Sequence, residues 1–445
     1  MKVLIVGAGD IGFYLTKKLS KEHDITLIDH DPQKVKRASE QLDAFVLDGH
    51  GGSLKTLRQA NLEKSDIVAA MTNNDELNLI ICQMAKRAGV ATTIARVRNH
   101  EYTKSNFIIP QKELGADFII HPEKETADAI RRLIRQSICT DVIDFEDGRI
   151  QLLGIRPNEN SPLLGIPLKD MGQEFSELPI RIVAINRKGI TLIPHGNDFL
   201  KSGDQVFVMC DPDSTDALIK LTGKTDASIN NIMVLGGGLI GQFVARDTER
   251  NVHIKIIESN EEKSQEVADL LPKSLIIHGD GTDIDLLAVE GITDMDAFIA
   301  VTGNDETNII ATLVARHLKV PRTIALVNKT EYMPITPTIG MDAVVSKQLL
   351  TVNAVLNYIR GTQVAAIASI PGVDAQIIEY IASARSKITR KPLQEINFPR
   401  NALVGTICRN GDVSIPRGST HIQEGDRVVI FSLPHALANV ERLFK

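Results

Sequence analysis

Short apolar runs alternate with helical stretches through the first 140 residues of the chain. Runs at 3–6, 25–28, 44–47, 67–71, 92–95 and 118–120 have the length and composition of buried strands. Helices are predicted at 11–19, 76–88 and 123–136, and another begins at Asp31-Pro32, with proline in the first helical position. Apolar strands separated by helices are typical of a parallel sheet covered on both faces. This region is therefore predicted to be a doubly wound α/β domain.

The same order of elements returns later in the chain, from Ile232 to about Val345, and a closing helix is predicted at 347–358. Residues 3–12 and 232–241 each read as an apolar strand followed by G-x-G-x-x-G, and the two copies lie 229 positions apart. Asp29 is matched by Glu258, and residues 72–76 are matched by residues 302–306. An echo of fixed spacing and this length indicates a duplicated domain.

Residues 141–223 follow a different pattern of short strands and Pro/Gly turns, with one clear helix at 213–221. Segments 189–196 and 203–206 return at 411–418 and 425–428, in both cases 222 positions later. The chain is therefore predicted to be A-B-A′-B′, with A domains at 1–140 and 228–360, B modules at 141–225 and 361–445, and a linker at 226–228. The predicted fold class is α/β, with two Rossmann-like doubly wound parallel-sheet domains, each followed by a small α+β module.

Composition narrows the function classes. A net charge of −6 and a pI of about 6.0 argue against a nucleic-acid-binding surface, which is usually basic. The four cysteines form no C-x-x-C pair and show no metal-ligand spacing, which fits a reducing cytosol, and Cys82 is predicted to be a core residue. The first strand is predicted to begin at Val3, so no signal peptide is expected, and no apolar run approaches the ~20 residues of a membrane helix.

Each glycine motif follows a strand, opens a helix and precedes an acid at the end of the next strand. Gly7 permits a tight turn, Gly9 lets a pyrophosphate approach the backbone, and Gly12 lets the helix pack on the strand. The helix N-terminus favours an anion. Asp29 is placed to accept hydrogen bonds from ribose hydroxyls, and its charge would repel a 2′-phosphate. NAD(H) or an adenine nucleotide is therefore expected to bind better than NADP(H). The alternative is that the glycines serve packing alone.

Three further residues are expected at the same edge of the sheet. Thr72 and Asn73 follow a strand, although a Thr or Asn before Asp75-Glu76 is also a good helix N-cap. Arg96 ends another strand and could pair with a phosphate, or form a surface salt bridge of little consequence. Its counterpart in the second copy is Leu326, so the two sites are expected to differ.

Two functions fit a duplicated Rossmann-like domain, a ligand-sensing regulator and an NAD-dependent dehydrogenase. A dehydrogenase needs an acid/base residue near the nicotinamide. The equivalent positions of the B modules hold His195 and Arg417, so a shared catalytic histidine is not expected. Doubling of the whole A-B pair also favours a switch. The sequence therefore favours a regulator and predicts no catalytic residue and no metal site.

The A domains resemble the nucleotide-binding N-terminal domain of RCK proteins (regulators of potassium conductance, also called KTN domains), and the B modules resemble its C-terminal companion. The resemblance is carried by residues 7–12, Asp29, the turn at 48–51, and residues 72–76 and 94–98. Two A-B pairs in one chain are similar to the cytosolic regulatory subunits of bacterial Trk potassium uptake systems. The resemblance covers essentially the whole chain.

This resemblance implies NAD(H) as the ligand, with ATP or ADP as further candidates. It also implies a membrane potassium transporter as partner, a position on the inner face of the membrane, and a ring of eight units from four chains. Leu326 departs from the family's arginine, which puts full dinucleotide binding by the second copy in question. The candidate binding residues are Gly7, Ala8, Gly9, Asp10, Ile11, Gly12, Asp29, Thr72, Asn73 and Arg96 in the first copy, and Gly236, Gly237, Gly238, Glu258 and Thr302 in the second.

Overall fold

In the computed structural model, the described residues are 1–103, 111–145, 148–175, 178–224, 228–329, 331–333, 335–336, 339–360, 364–369 and 373–444. Of the predicted linker at 226–228, only Ser228 lies within them. The chain divides into two compact units, one of Met1–Glu125 with Lys347–Ile359 and one of Thr126–Ser346 with Arg360–Lys445.

The first unit is built on a six-stranded parallel sheet. The strands lie in the order β3-β2-β1-β4-β5-β6, and their bounds are β1 Lys2–Val6, β2 Asp24–Asp29, β3 Phe45–Asp48, β4 Ile67–Ala70, β5 Thr92–Arg96 and β6 Phe118–Ile120. The helices between them are α1 Asp10–Leu19, α2 Pro32–Gln41, α3 Leu54–Gln59 and α4 Asp75–Arg87, and α5 Pro122–Arg135 follows β6. Val3 and Ile5 face one apolar core and Leu4 and Val6 face another, which explains why β1 shows no polar alternation.

A helix from late in the chain completes the first unit. In α12 (Lys347–Arg360), Val352, Val355 and Leu356 are buried in the core that also holds residues of β1 and α1. The ring of Tyr358 stacks on Phe118 with 4.5 Å between ring centroids. Packing therefore places this helix on the first sheet, although it follows the second sheet in sequence. The four predicted domain boundaries stay predictions.

The second unit contains the duplicate of this sheet. Its strands lie in the order β14-β13-β12-β15-β16-β17, all parallel, with bounds β12 Asn231–Leu235, β13 His253–Glu258, β14 Leu275–His278, β15 Ala297–Ala300, β16 Arg322–Leu326 and β17 Ala343–Val345. The helices are α8 Leu239–Thr248, α9 Glu261–Leu270, α10 Ile284–Val289 and α11 Asp305–His317. The predicted doubly wound, duplicated architecture is confirmed.

The B modules are five-stranded antiparallel sheets, also in the second unit. The first has the order β10-β9-β11-β8-β7, with β7 Asp141–Phe145, β8 Ile150–Ile155, β9 Ile180–Arg187, β10 Ile190–Leu192, β11 Gln205–Cys210 and helices α6 Leu168–Glu174 and α7 Thr215–Leu221. The second has the order β18-β19-β22-β20-β21, with β18 Val364–Ser369, β19 Gln376–Ile381, β20 Ala402–Arg409, β21 Asp412–Ser414, β22 Arg427–Ser432 and helix α13 Leu437–Phe444.

The two B modules share one apolar core. Phe145, Phe207 and Met209 of the first module are buried in the same cluster as Ile377 and Phe431 of the second. All four cysteines are buried, and burial raises the pKa of the Cys82 thiol to about 12, so its predicted place in the core is confirmed. Across the described ranges, no helix combines the length and the apolar character needed to cross a bilayer.

A forked ion pair explains the repeated Gly-Asp of the B modules. Arg187 donates from Nε to Asp204 Oδ1 over 2.8 Å and from its terminal nitrogen to Oδ2 over 2.7 Å. Arg409 makes the same pair with Asp426 at 2.8 and 2.7 Å. The two carboxylates are buried and also accept backbone N–H groups of their own turns, from Lys201 and Gln423. The echo thus marks a buried carboxylate that ties a turn to a strand.

We predict that Asp426→Asn lowers the free energy of unfolding by roughly 1–2 kcal/mol at pH 7, since a charge-assisted fork to a part-exposed arginine becomes a neutral contact. Burial works to raise the pKa of Asp426, but the hydrogen bonds from Arg409 and Gln423 outweigh it and hold that pKa below its usual value. A carboxyl whose pKa is lowered by folding stabilises the folded state at pH values above its unfolded pKa of about 3.9, and this stabilisation is lost as the pH falls further. The deficit measured by calorimetry should therefore shrink between pH 4 and pH 2. The exposed Asp412→Asn is the matched control, and an equal deficit in both variants would contradict the assignment.

Candidate nucleotide-binding sites

The first glycine loop leaves open space beside the start of α1. Gly7 has a φ of +104°, which suits glycine, and a Cβ on Gly12 would lie 1.8 Å from the carbonyl oxygen of Gly7. A Cβ on Gly9 would meet no atom within 4 Å. Gly9 is the N-cap of α1, and no side chain caps this helix. The loop therefore presents helix N–H groups to open space at Gly9.

The Asp29 carboxylate fixes the shape of that loop. Its Oδ2 accepts the N–H of Ala8 over 2.6 Å, and its Oδ1 accepts the N–H of Asp31, next to α2, over 2.9 Å. The residue is buried, with 7% of its surface exposed. Each oxygen of an ionised carboxylate has a second lone pair, so Asp29 can hold the loop and still accept a ribose hydroxyl.

The remaining loop residues lie at the start of α1 and beside the end of β4. Ile11 is buried in the core beneath the sheet, so its side chain faces away from the open space. Asp10 is the first residue of α1 and lies in its acidic first turn. A Cβ on Gly7 would lie 2.9 Å from the backbone nitrogen of Thr72, so the loop and the end of β4 are in direct contact.

Asn78 organises the neighbouring strand ends, and the sequence reasoning missed it. This fully buried side chain accepts the N–H and the hydroxyl of Thr72 at Oδ1, over 3.0 and 2.6 Å. Its Nδ2 donates to the carbonyls of Thr72 and Arg96 over 3.1 and 2.8 Å. The N-cap of α4 is Asn74, which accepts the N–H of Leu77, so Thr72 belongs to the Asn78 network instead. The repeated spacing of Thr72 to Asn78 and of Thr302 to Asn308 was the available signal.

Arg96 is a half-buried cation at the end of β5. Its guanidinium lies 3.9 Å from Glu123 Oε1, and the ammonium of Lys347 lies 3.4 Å from the same oxygen. Only 15% of the Arg96 side chain is exposed, so its ion pair with Glu123 is internal and is not the surface salt bridge that was the alternative to phosphate binding. Burial lowers the pKa of Arg96, and Glu123 offsets part of that shift, so the side chain stays charged. Asn73 contributes its carbonyl, which accepts a hydrogen bond from Arg98.

The second copy repeats this frame. Gly236 has a φ of +108°, and a Cβ on Gly241 would lie 2.2 Å from the Gly236 carbonyl oxygen. Glu258 accepts the N–H groups of Gly237 and Asn260, each over 3.0 Å. Asn308 holds Thr302 and the carbonyl of Leu326, as Asn78 does in the first copy.

The charged groups of the second copy are different. Leu326 is buried at the position that Arg96 has in the first copy, and by strand register Gln348 is the sequence equivalent of Glu123. Leu239 replaces Asp10 at the start of α8. A new cation appears instead, because Lys263 Nζ lies 2.6 Å from Glu258 Oε2. The two copies thus share a backbone frame and differ in the charges around it.

His195 and Arg417 occupy equivalent turns of the two B modules. The backbone N–H of His195 donates to Asp198 Oδ2 over 2.7 Å, and that of Arg417 donates to Thr420 Oγ1 over 2.8 Å. Both positions therefore serve the turn through their backbone, whatever the side chain.

Family models match most of the chain. The TrkA-N domain matches residues 3–122 and 232–347, and the TrkA-C domain matches residues 152–223 and 377–445. The Trk system potassium uptake protein TrkA homolog 2 of Methanosarcina mazei is 37% identical, with all of both chains covered. The Trk system potassium uptake proteins TrkA of Azorhizobium caulinodans and Haemophilus influenzae are 32% and 30% identical, over 100% of this chain and 99% of each relative.

Solved structures share the fold. The chain matches the GsuK channel bound to NAD with a TM-score of 0.63 and 20% identity, over 100% of this chain and 78% of that one. It matches the GsuK RCK domain with a TM-score of 0.62 and 19% identity, over 100% and 94%. At this identity the likeness concerns the fold, and it confirms the predicted pairing of each Rossmann-like domain with a small module.

We predict that Asn78→Ala destabilises the first Rossmann domain by about 3 kcal/mol, because the buried N–H of Thr72 and two carbonyls lose their partner. Thermal unfolding in a calorimeter measures the change. Asn74→Ala is the matched control on the same helix, and loss of this N-cap should cost only about 1 kcal/mol. If Asn78→Ala costs no more than Asn74→Ala, the network has no organising role.

Proposed function

The chain belongs to the TrkA family, and we propose that it is a nucleotide-sensing regulatory subunit that controls a membrane potassium uptake transporter of the Trk type. The observation that carries the proposal is the open, uncapped helix start at Gly9, with the Asp29 carboxylate bound to the loop at Ala8 and the Arg96 cation at the end of β5, two strands away in the sheet. Such a site offers N–H groups and a cation to phosphates and a carboxylate to ribose.

We propose NAD(H) as the ligand of the first site, with ATP or ADP as weaker candidates. A dinucleotide uses both halves of the site, since its pyrophosphate lies over the glycine loop and its second half reaches the end of β5. The buried negative charge of Asp29 disfavours a 2′-phosphate. The relative named as a GsuK channel bound to NAD has the same fold, which supports a dinucleotide in this architecture.

The contacts of Arg96 suggest how binding becomes a signal. Glu123 lies in the first turn of α5 and interacts with both Arg96 and Lys347, the first residue of α12. A phosphate that pairs with Arg96 competes with Glu123 for the guanidinium and so weakens one of two contacts at the helix starts. These helices lead in sequence into the two B modules. A nucleotide that binds one arrangement better shifts the population towards it.

For assembly, we propose that four chains form a ring of eight A-B units on the cytoplasmic face of the membrane, against the transporter. The resemblance to RCK proteins and the duplicated A-B unit support this arrangement. The modules would supply the contacts within and between chains, and the nucleotide would alter how they pack.

We predict that Gly9→Val weakens NADH binding to the first site by at least about tenfold, which equals about 1.4 kcal/mol, because a side chain would fill the space of the pyrophosphate. Gly9 has an extended backbone with φ −65° and ψ −179°, so valine fits without strain and the fold should survive. Calorimetric titration measures binding, and unfolding temperature checks the fold. Unchanged affinity in a folded variant would remove the glycine loop from the site.

The regulatory role is tested in vesicles that contain a Trk-type transporter and the purified chain. Potassium flux should depend on which nucleotide is present, and this dependence should be weaker with Gly9→Val. Flux that ignores every nucleotide, or steady oxidation of NADH with a small metabolite, would favour the dehydrogenase instead.

We predict that Arg96→Leu weakens NADH binding to the first site by about tenfold, since a charge-assisted contact to phosphate is lost. Arg96→Leu also removes one ion-pair partner of Glu123. The effect of the substitution on stability must therefore be separated from its effect on binding. Arg96→Leu with Glu123→Gln reproduces the Leu326 and Gln348 of the second copy and removes the carboxylate charge that Arg96→Leu leaves with Lys347 alone. The unfolding temperatures of the two variants give the effect on stability, and the affinity of the double variant should stay as low as that of Arg96→Leu. The exposed Arg87→Leu is the control for charge alone. Two identical sites in the parent chain, both indifferent to Arg96→Leu, would contradict the prediction.

A further inference from the structure

The second glycine loop carries a cation that the first loop lacks. Lys263, in the first turn of α9, places Nζ 2.6 Å from Glu258 Oε2. The same nitrogen lies 4.0 Å from where a Cβ on Gly238 would stand, whereas the equivalent position at Gly9 has no neighbour within 4 Å. Gly238 is the loop position over which a pyrophosphate approaches the backbone. The ammonium therefore lies between the ribose acid and the phosphate space.

The local sequence explains why this lysine turns inwards. Its counterpart in the first copy is Lys34, which lies 3.6 Å from Oδ2 of Asp31, the N-cap of α2. In the second copy the N-cap is the neutral Asn260, which offers no charge to hold the lysine outside. Glu258 also has one more methylene than Asp29. Lys263 therefore pairs with the ribose acid and not with its own helix cap.

Glu258 stays ionised beside this lysine. Burial works to raise the pKa of Glu258, but the hydrogen bonds from Lys263 and from the N–H groups of Asn260 and Gly237 hold it below its usual value. The Lys263 side chain is 40% exposed, so its ammonium is accessible from solvent while it pairs with Glu258. A phosphate at Gly238 would find this cation within reach.

The end of β16 lacks the cation that Arg96 supplies in the first copy. The buried Leu326 takes that position in the second copy. The second half of a dinucleotide would therefore gain no cation from this position. Lys263, by contrast, lies beside Glu258, on the ribose side of the loop.

We propose that Lys263 is the phosphate-binding residue of the second site and makes that site selective for adenosine 5′-mono- or diphosphates over NAD(H). This proposal rests on the proposed nucleotide-sensing function. On binding, the Lys263 ammonium pairs with the phosphate and no longer with Glu258. The ribose hydroxyls then donate hydrogen bonds to the Glu258 oxygen that the ammonium had occupied. The two copies would then read different nucleotides, the first through Arg96 and the second through Lys263.

The test uses the full chain with Gly9→Val, so that binding reports on the second site, and titrates it with ADP, AMP and NADH in a calorimeter. We expect ADP to bind there at least as tightly as NADH. Adding Lys263→Met, which keeps length and removes charge, should weaken ADP about tenfold or more and reduce the salt dependence of its binding. Lys263→Arg should recover most of the affinity. Lys34→Met in the same background is the matched control and should leave ADP binding unchanged.

The outcomes separate this inference from the proposed function. Tighter ADP binding by Lys263→Met would show that the lysine blocks the site. Unchanged ADP binding would show that the lysine does not contact the ligand. Either result overturns the inference. The inference is also overturned if NADH binds the second site clearly more tightly than ADP does. It is likewise overturned if nothing binds at the second site while the parent chain binds one NADH. Absence of nucleotide binding at both sites of the parent chain would instead refute the proposed function itself. Unfolding temperatures confirm that each variant is folded.

Discussion

The close approach of a helix to a strand at Gly12 is the constraint on which each Rossmann-like domain depends. The Gly7 carbonyl occupies the place of a side chain at Gly12, and the same holds for Gly236 and Gly241. This contact brings α1 close to β1 and leaves its N–H groups at the edge of the sheet. One carboxylate then completes the edge, because Asp29 joins the loop to the start of α2. Packing and ligand recognition therefore share the same few atoms, and the packing explanation of the glycines does not exclude the functional one.

Much of the fold could be predicted from sequence because it depends on short-range patterns. Strands buried on both faces lack polar positions, and glycine motifs mark the turns between strand and helix. The internal repeat then supported each assignment twice. The packing of α12 on the first sheet could not be predicted, since its apolar stripe fits any apolar surface and the partner lies more than two hundred residues away. The short helix α6 was also missed, because its seven residues carry little periodicity.

The site was predicted less completely than the fold. Glycines and strand-end acids have roles that follow from residue type, and the structure brings Gly7, Asp29 and Thr72 to one edge. A buried asparagine such as Asn78 has no such signature, because the same residue in the same place could cap a helix or face solvent. Arg96 was predicted as exposed or ligand-bound, but it pairs with Glu123, which also pairs with Lys347 from a distant part of the chain. Charge pairing across such distances is a property of the tertiary structure, and sequence spacing does not encode it.

The apolar core shared by the two B modules sets an order of events during synthesis. Phe145, Phe207 and Met209 leave the ribosome more than 150 residues before Ile377 and Phe431, which cover them in the finished chain. At about 5–20 residues per second, the first sheet exposes this apolar face for roughly ten to forty-five seconds before Phe431 emerges. During that interval the nascent chain exposes an apolar surface to which chaperones and neighbouring nascent copies can bind. In a chain cut between the two A-B halves, this apolar face would stay exposed until the halves met again, so each half depends on the other for part of its core.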